Sequence, residues 1–190
     1  NTTKSLEPAF REGFFQVISI LTTTGYVSVD YLYWPAAGLL IIFLLMFAGA
    51  STGSTTGSIK MVRHLIVMKN IRNTVTKLVH PNVITQVKLN NKPLSDKTNI
   101  SIVSFVILYL MIFLAGTIII VIIGTDPLTA ASAVATSLGN AGPGLGSIGP
   151  MSNYSHLSDL TKLILSLLMI IGRLEIYTIF IIFTRSFWKI

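Results

Sequence analysis

Two stretches decide how this chain folds: Ala9 to Tyr26, AFREGFFQVISILTTTGY, and Leu128 to Pro143, LTAASAVATSLGNAGP. Each is a short apolar run ending in a glycine-centred polar turn. The turns are Thr22, Thr23, Thr24, Gly25 and Tyr26 in the first, and Gly139, Asn140, Ala141, Gly142 and Pro143 in the second. A helix from Ala9 to Leu21 rises roughly 20 Å, against a hydrocarbon core of about 30 Å, so it enters a membrane and must turn back. Unwound backbone at that depth is tolerated only where it is buried in protein or lines a water-filled path, and there its carbonyls replace a cation's hydration shell. The two turns are therefore read as filter loops of an ion pore. A buried soluble helix followed by a turn is the bland alternative.

Composition agrees with a bilayer setting. Of 190 residues, 52% are hydrophobic and 11% charged, and the mean hydropathy is +0.73, too few charges to coat a soluble globule of this size. The net charge of +7 is not spread as a nucleic-acid surface would be. Lys60, Arg63, Lys69, Arg72, Lys77, Lys88, Lys92 and Lys97 fall in one stretch, and Arg185 and Lys189 close the chain. Residues 124–158 hold Asp126 and no Lys or Arg. The positive-inside rule then places residues 58–97 and the C-terminus in the cytoplasm and the filter loops toward the outside of the cell's inner (plasma) membrane. No cysteine is present, which removes disulfides and thiolate metal sites.

Pro8 suits a first helical turn, and Phe10, Phe14, Val17 and Leu21 share a helical face. Tyr31, Tyr33 and Trp34 sit where an interfacial aromatic belt belongs, ahead of a span from Pro35 to Ala48. That span breaks inside the membrane at Gly49, Ala50, Ser51, Thr52, Gly53, Ser54, Thr55, Thr56 and Gly57, a small, polar and flexible run that must line a cavity. It is no phosphate loop, because Gly57-Ser58-Ile59-Lys60 lacks the required Gly-Lys-Ser/Thr. A passive hinge is the competing view of it. Lys60 to Val79 reads as a basic helix, and residues 83–96 as a hairpin turning at Asn90-Asn91 and offering a cytosolic contact. Thr98 to Ile123 is a full span, Leu128 to Leu138 a second short helix, and Leu160 to Thr184 a last span capped by Asp159.

Aligning Gly25 with Gly142 brings short helix, polar turn, linker and following span into register, so the chain holds an internal repeat. The expected fold is an all-α integral membrane protein of repeated units (span, re-entrant pore helix, filter loop, span), like a potassium channel but incomplete, with two of the four pore loops a ring needs. Residues 1–79 form one repeat without its opening span, 80–97 a cytosolic linker, and 98–190 a complete repeat. Ion-bearing residues also lie within the last span: Arg173 is about 20 Å along the helix from Asp159, too deep to snorkel, and Glu175 points to another side. Arg173 reads as a gate or barrier element, with Lys60 and Glu175 as gate or pairing residues. An interhelical salt bridge is the structural alternative. Catalysis has no support: His64, His80 and His156 are scattered, apparent surface residues, and no nucleophile or metal motif occurs.

The run Gly49 to Lys60, Leu78-Val79-His80-Pro81, Asn140-Ala141-Gly142-Pro143-Gly144-Leu145-Gly146, and Gly172-Arg173-Leu174-Glu175 with Ser186-Phe187-Trp188 resemble the bacterial Trk-type potassium-uptake subunits of the Trk/Ktr/HKT superfamily. The resemblance implies a third repeat without its first span plus the complete fourth of a four-repeat polypeptide, whose N-terminal remainder would be a partner. It also implies that Gly25 and Gly142 are filter glycines, that Gly49 to Gly57 is the intramembrane gating loop, and that Arg173 faces the pore. Further implications are K⁺ as the transported ion through the filter residues, no organic cofactor in this chain, a homodimer in a lipid membrane, and a cytosolic nucleotide-binding regulatory ring of the RCK type. Pro143-Gly144-Leu145-Gly146 favours Trk over Ktr. Two other classes stay open: a secondary transporter binding a small solute at broken helices, and a non-conducting assembly subunit.

Overall fold

The computed structural model describes residues 6–51, 53–54, 56–83, 85–174, 176–177, 181 and 188. Six helices and two small two-stranded ladders follow in the order α1 (Leu6–Leu21), α2 (Ala36–Leu45), β1 (Ala48–Gly49), β2 (Ile59–Lys60), α3 (Met61–Val79), β3 (Lys88–Leu89), β4 (Lys92–Pro93), α4 (Asp96–Ile122), α5 (Pro127–Gly139) and α6 (Asp159–Arg173) among these residues.

The helix α5 sits at the centre. All its residues from Thr129 to Gly139 are buried except the partly covered Ala131, and they are mostly Ala, Ser and Thr. Small side chains let neighbouring backbones approach closely, the usual way apolar helices associate where no hydrophobic driving force separates them from lipid. Asp126 caps α5 by accepting from the Leu128 and Thr129 amides, and Pro127 follows it where a missing N–H costs nothing. On one side α4 packs through a single seam, Phe105, Tyr109, Gly116 and Ile120. Gly116 belongs to that seam because a Cβ there would press on Val134 and Leu168 at 3.3 Å. Much of the remaining surface of α4 is apolar and exposed: its hydropathy reaches 3.0 over a membrane-length window that is 22% buried. On the other side α6 buries Thr161, Leu165 and Leu168.

Three expectations are corrected. The cap of α6 is Ser158, whose hydroxyl accepts from Thr161 N at 3.2 Å, while Asp159 stands exposed in the first turn and pairs with Lys162 at 3.2 Å. The last span is described as a helix from Asp159 to Arg173, with Leu174 N bonding Ile170 O; beyond it Ile176, Tyr177 and Ile181 are again helical, and the rest of the expected span to Thr184 lies outside the described residues. The span starting near Pro35 is helical only to Leu45; Met46 and Phe47 turn, and Ala48 and Gly49 leave the helix to pair in parallel with Ile59 and Lys60. Finally, Tyr31 is no belt residue. It is wholly buried with Ile20, Ile42, Met46, Ala135 and Leu145, whereas Tyr33 remains exposed.

The hairpin is present but short, Lys88↔Pro93 and Leu89↔Lys92. Asn90 and Asn91 both take positive φ, 49° and 63°, the geometry that a two-residue turn needs and that asparagine tolerates. Lys69 Nζ donates to Lys88 O at 2.7 Å and ties the hairpin to α3. Between α3 and α4 the amides of Asn70 and Asn99 bond reciprocally, at 2.6 and 2.9 Å. Removing one leaves the other amide without its partner in a part-buried seam. Asn70→Ala is therefore expected to lower stability by about 1–2 kcal/mol, read as a fall in melting temperature in detergent. A double variant Asn70→Ala/Asn99→Ala should recover part of that loss.

Candidate functional site

Both glycine turns fold back along the helix that delivers them, and they do so by the same backbone construction. In the first, Thr23 takes φ 53° and Gly25 φ 77°; in the second, Asn140 takes φ 56° and Gly142 φ 100°. Thr23 N bonds Ile20 O and Thr24 N bonds Ser19 O; Asn140 N bonds Ser137 O and Ala141 N bonds Thr136 O. These pairs coincide position for position when Gly25 is set on Gly142. A β-branched residue at φ 53° is strained, so Thr23 is held there by its surroundings. Thr22 Oγ1 helps, donating to Ile18 O at 2.8 Å and meeting Thr24 Oγ1 at 2.7 Å.

The chain leaving each turn is sewn to its helix. Ser19 Oγ donates to Tyr26 O at 2.6 Å, and the buried Gln16 side chain, oxygen toward the loop, accepts from Ser28 N at 2.9 Å. In the second loop Ser132 Oγ accepts from Leu145 N and donates to Leu145 O, both at 3.0 Å, and Thr129 Oγ1 accepts from Ser147 N. Two phenols reach the same loop: Tyr31 donates to Gly144 O at 2.9 Å and Tyr154 to Gly142 O at 2.7 Å. Burial pushes both phenols above the ordinary tyrosine range, so both keep their donor proton. Among the described residues, no donor reaches the carbonyls of Thr22, Thr23, Thr24 and Gly25, nor those of Gly139, Asn140 and Ala141. The two turns also touch: a Cβ on Gly25 would lie 2.5 Å from Ala141 O.

Helices α1 and α5 both end at these turns, and neither carries a basic residue in its last turn. Their negative poles, each equivalent to roughly half an elementary charge, are thus left to act on whatever occupies the turns.

Beneath the second turn lies the broken segment. Gly57 packs against the Gly139 carbonyl so closely that no Cβ fits, and Ser58, at φ 60°, donates from Oγ to Met46 O at 2.6 Å. Gly172 abuts the Leu138 carbonyl in the same way, and Asn140 Nδ2 donates to Met169 O at 3.2 Å. The tip of the loop holds itself: Ser54 Oγ donates to Ser51 O at 2.8 Å and meets Thr56 Oγ1 at 2.6 Å, and Thr56 Oγ1 accepts from Ala50 N at 3.2 Å. His64 Nε2 lies 3.3 Å from Phe47 O, so this histidine borders the break instead of standing free at the surface. His156 meets Ser147 Oγ at 2.8 Å.

Ser54, Thr56, Ser58, Lys60, Arg63 and Arg173 surround one cavity of about 60 Å³. Ser54 and Thr56 of the expected gating loop are therefore brought together with Lys60 and Arg173, far apart in sequence. Thr52, Thr55 and Glu175 lie outside the described residues. Sequence reasoning missed Arg63, which lies 3.8 Å over the Phe105 ring, a cation–π contact that anchors its guanidinium at the cavity wall. Its helical spacing of three from Lys60 was the available signal. It also missed Tyr31 and Tyr154, whose positions carry no pattern readable without the fold.

A family model described as TrkH, cation transport protein, matches residues 4–190. The chain belongs to the TrkH family. Within it, the Trk system potassium uptake protein TrkI of Halomonas elongata is 37% identical over 176 residues, covering 92% of this chain and 36% of that protein. The Trk system potassium uptake protein TrkH of Escherichia coli K12 is 32% identical over 189 residues, covering 100% of this chain and 39% of its own length. The crystal structure of the potassium transporter TrkH from Vibrio parahaemolyticus matches 99% of the chain and 40% of its own with a TM-score of 0.90 at 31% identity. The chain thus spans about two fifths or less of these relatives, and its helical fold is that of a membrane transporter family.

Proposed function

We propose that this chain is the C-terminal, pore-forming part of a potassium uptake transporter, with Gly25 and Gly142 at the centres of two filter loops. The observation that carries this is the pair of matched turns, each at the negative end of a short helix and each presenting a row of carbonyls to which no described residue donates. A dehydrated cation is the partner such a row fits, because carbonyl oxygens supply what its water shell gave up. K⁺ is the substrate favoured by the relatives' names. A solute-binding secondary transporter fits less well, since the two short helices aim like ends at one region. The same matched construction argues against a subunit that only assembles.

Two loops make half a ring. The first loop is open along one flank, where Phe10, Phe14, Phe15, Ile18, Thr22 and Tyr26 line an apolar hollow of about 500 Å³, and Phe10 and Phe14 are 72% and 58% exposed. That hollow is the place for the first two repeats of the same transporter. Homodimer formation and control by a cytosolic RCK-type nucleotide-binding ring complete the proposal, with the basic α3 and the hairpin as the cytoplasmic contact and the filter loops facing outward. Residues 1–79 would be the third repeat, 80–97 the linker and 98–190 the fourth repeat.

Gating is assigned to Gly49–Gly57 and Arg173. The cavity of about 60 Å³ is narrow, and Lys60, Arg63 and Arg173 line its wall. Proteoliposomes carrying the transporter with its remaining repeats should take up rubidium tracer in preference to sodium tracer, and absence of that preference overturns the potassium assignment. Arg173→Ala is expected to raise flux about tenfold, the equivalent of a barrier lowered by about 1.4 kcal/mol when its charge is removed. If Arg173→Ala instead prevents assembly and Arg173→Lys restores it, the arginine is structural glue.

A further inference from the structure

We infer that Tyr31 and Tyr154 are positioning residues for ion selection, holding the outer carbonyls of the second filter loop away from the ion path. The inference rests on the potassium-pore assignment of that loop. In the matched turns, the carbonyls of Thr22, Thr23 and Thr24 correspond to those of Gly139, Asn140 and Ala141, and none of the six has a donor among the described residues. The correspondence breaks at the glycine. Gly25 O has no donor among the described residues, whereas Gly142 O accepts from the Tyr154 hydroxyl at 2.7 Å. Two residues further on, Gly144 O accepts from Tyr31 at 2.9 Å.

Tyr31 reaches across from the linker that follows the first filter loop, and it is 0% exposed. Its position is fixed from every side. Asp30 caps its short 3₁₀ turn by accepting from Leu32 N at 3.0 Å, the Trp34 ring meets it edge-on at 6.3 Å, and Leu32 fills the space that a side chain on Gly149 would need. The loop side is equally constrained, because Gly144 N bonds Ile148 O at 2.9 Å and Leu145 is held by Ser132 at both backbone atoms. A phenol so braced fixes the distance between the first loop's linker and the second loop's backbone, and with it the spacing of the carbonyls that remain for an ion. Tyr154 acts two residues earlier, at Gly142 O, and makes the two loops unequal at the glycine.

The test substitutes phenylalanine, which keeps each ring in its packing and removes only the donor. In the transporter with all repeats, Tyr31→Phe should shift the ratio of sodium to rubidium tracer uptake upward about fivefold, the equivalent of one lost hydrogen bond. Tyr154→Phe, at a less buried site where folding is least at risk, should shift it in the same direction by a smaller factor. Both ratios are read at matched protein levels, beside melting temperatures. A lowered melting temperature with an unchanged ratio in both variants overturns the inference and leaves the phenols as packing elements. A wild-type protein without preference for rubidium over sodium overturns the pore assignment itself, a result distinguishable because it appears before any tyrosine is changed.

Discussion

Gly25→Ala is expected to abolish selective uptake, whereas Gly142→Ala should leave uptake measurable with a reduced preference for potassium over sodium. Sequence treats the two glycines as equals, since each centres its turn. Both take a positive φ, 77° and 100°, that costs an L-residue about 1–2 kcal/mol. Only Gly25 adds a collision. Its Cβ would sit 2.5 Å from the Ala141 carbonyl oxygen, a backbone atom of the other loop, while nothing lies within 4 Å of a Cβ on Gly142. Overpacking against rigid backbone adds about 1–3 kcal/mol, and the atom displaced is itself one of the carbonyls offered to the ion. Tracer uptake of rubidium and sodium by the two variants decides the matter. Equal losses, or a greater loss in Gly142→Ala, would contradict the contact between the loops.

Much of this site was legible because its chemistry is local. The polar turns follow directly on apolar runs too short to span, and helix length in ångströms against bilayer thickness requires a return. The hairpin was legible for the same reason, as Asn90-Asn91 permits only a few turn geometries. Features that depend on distant partners were not. The break after α2 comes at Leu45 because Ala48 and Gly49 find β-partners at Ile59 and Lys60, residues beyond a polar loop that has no strand pattern. Ser158 displaces Asp159 as the cap of α6 because its hydroxyl reaches Thr161 N, a choice of one residue that two adjacent cap formers leave undecided. Tyr31 reads as an interfacial aromatic since its hydroxyl partner, Gly144 O, is 113 residues away. Gly172 shows nothing in sequence of the Leu138 carbonyl against it.

Ser54→Ala/Thr56→Ala is expected to raise flux about thirtyfold while leaving ion preference intact. In the arrangement described, the hydroxyls of Ser54 and Thr56 hold the loop tip through three hydrogen bonds: Ser54 to Ser51 O, Ser54 with Thr56, and Ala50 N to Thr56. With the tip so held, Ser54 and Thr56 line the narrow cavity that also holds Lys60, Arg63 and Arg173, and this is the closed state in the proposed mechanism. Removing both hydroxyls destabilises it by about 2 kcal/mol at roughly 1 kcal/mol or less per bond, and the population moves toward open by the corresponding factor. Gly53 and Gly57 give the backbone freedom to accept the change. The filter carbonyls are untouched, so rubidium over sodium preference should persist. The base of the loop behaves oppositely. Ser58 is buried and donates to Met46 O, and a Cβ on Gly139 would lie 2.5 Å from its hydroxyl oxygen. Ser58→Ala therefore removes support from under the second filter loop, lowering both melting temperature and selectivity. Flux unchanged in the double variant, or raised only together with lost selectivity, would make the tip part of the filter's support and not a gate.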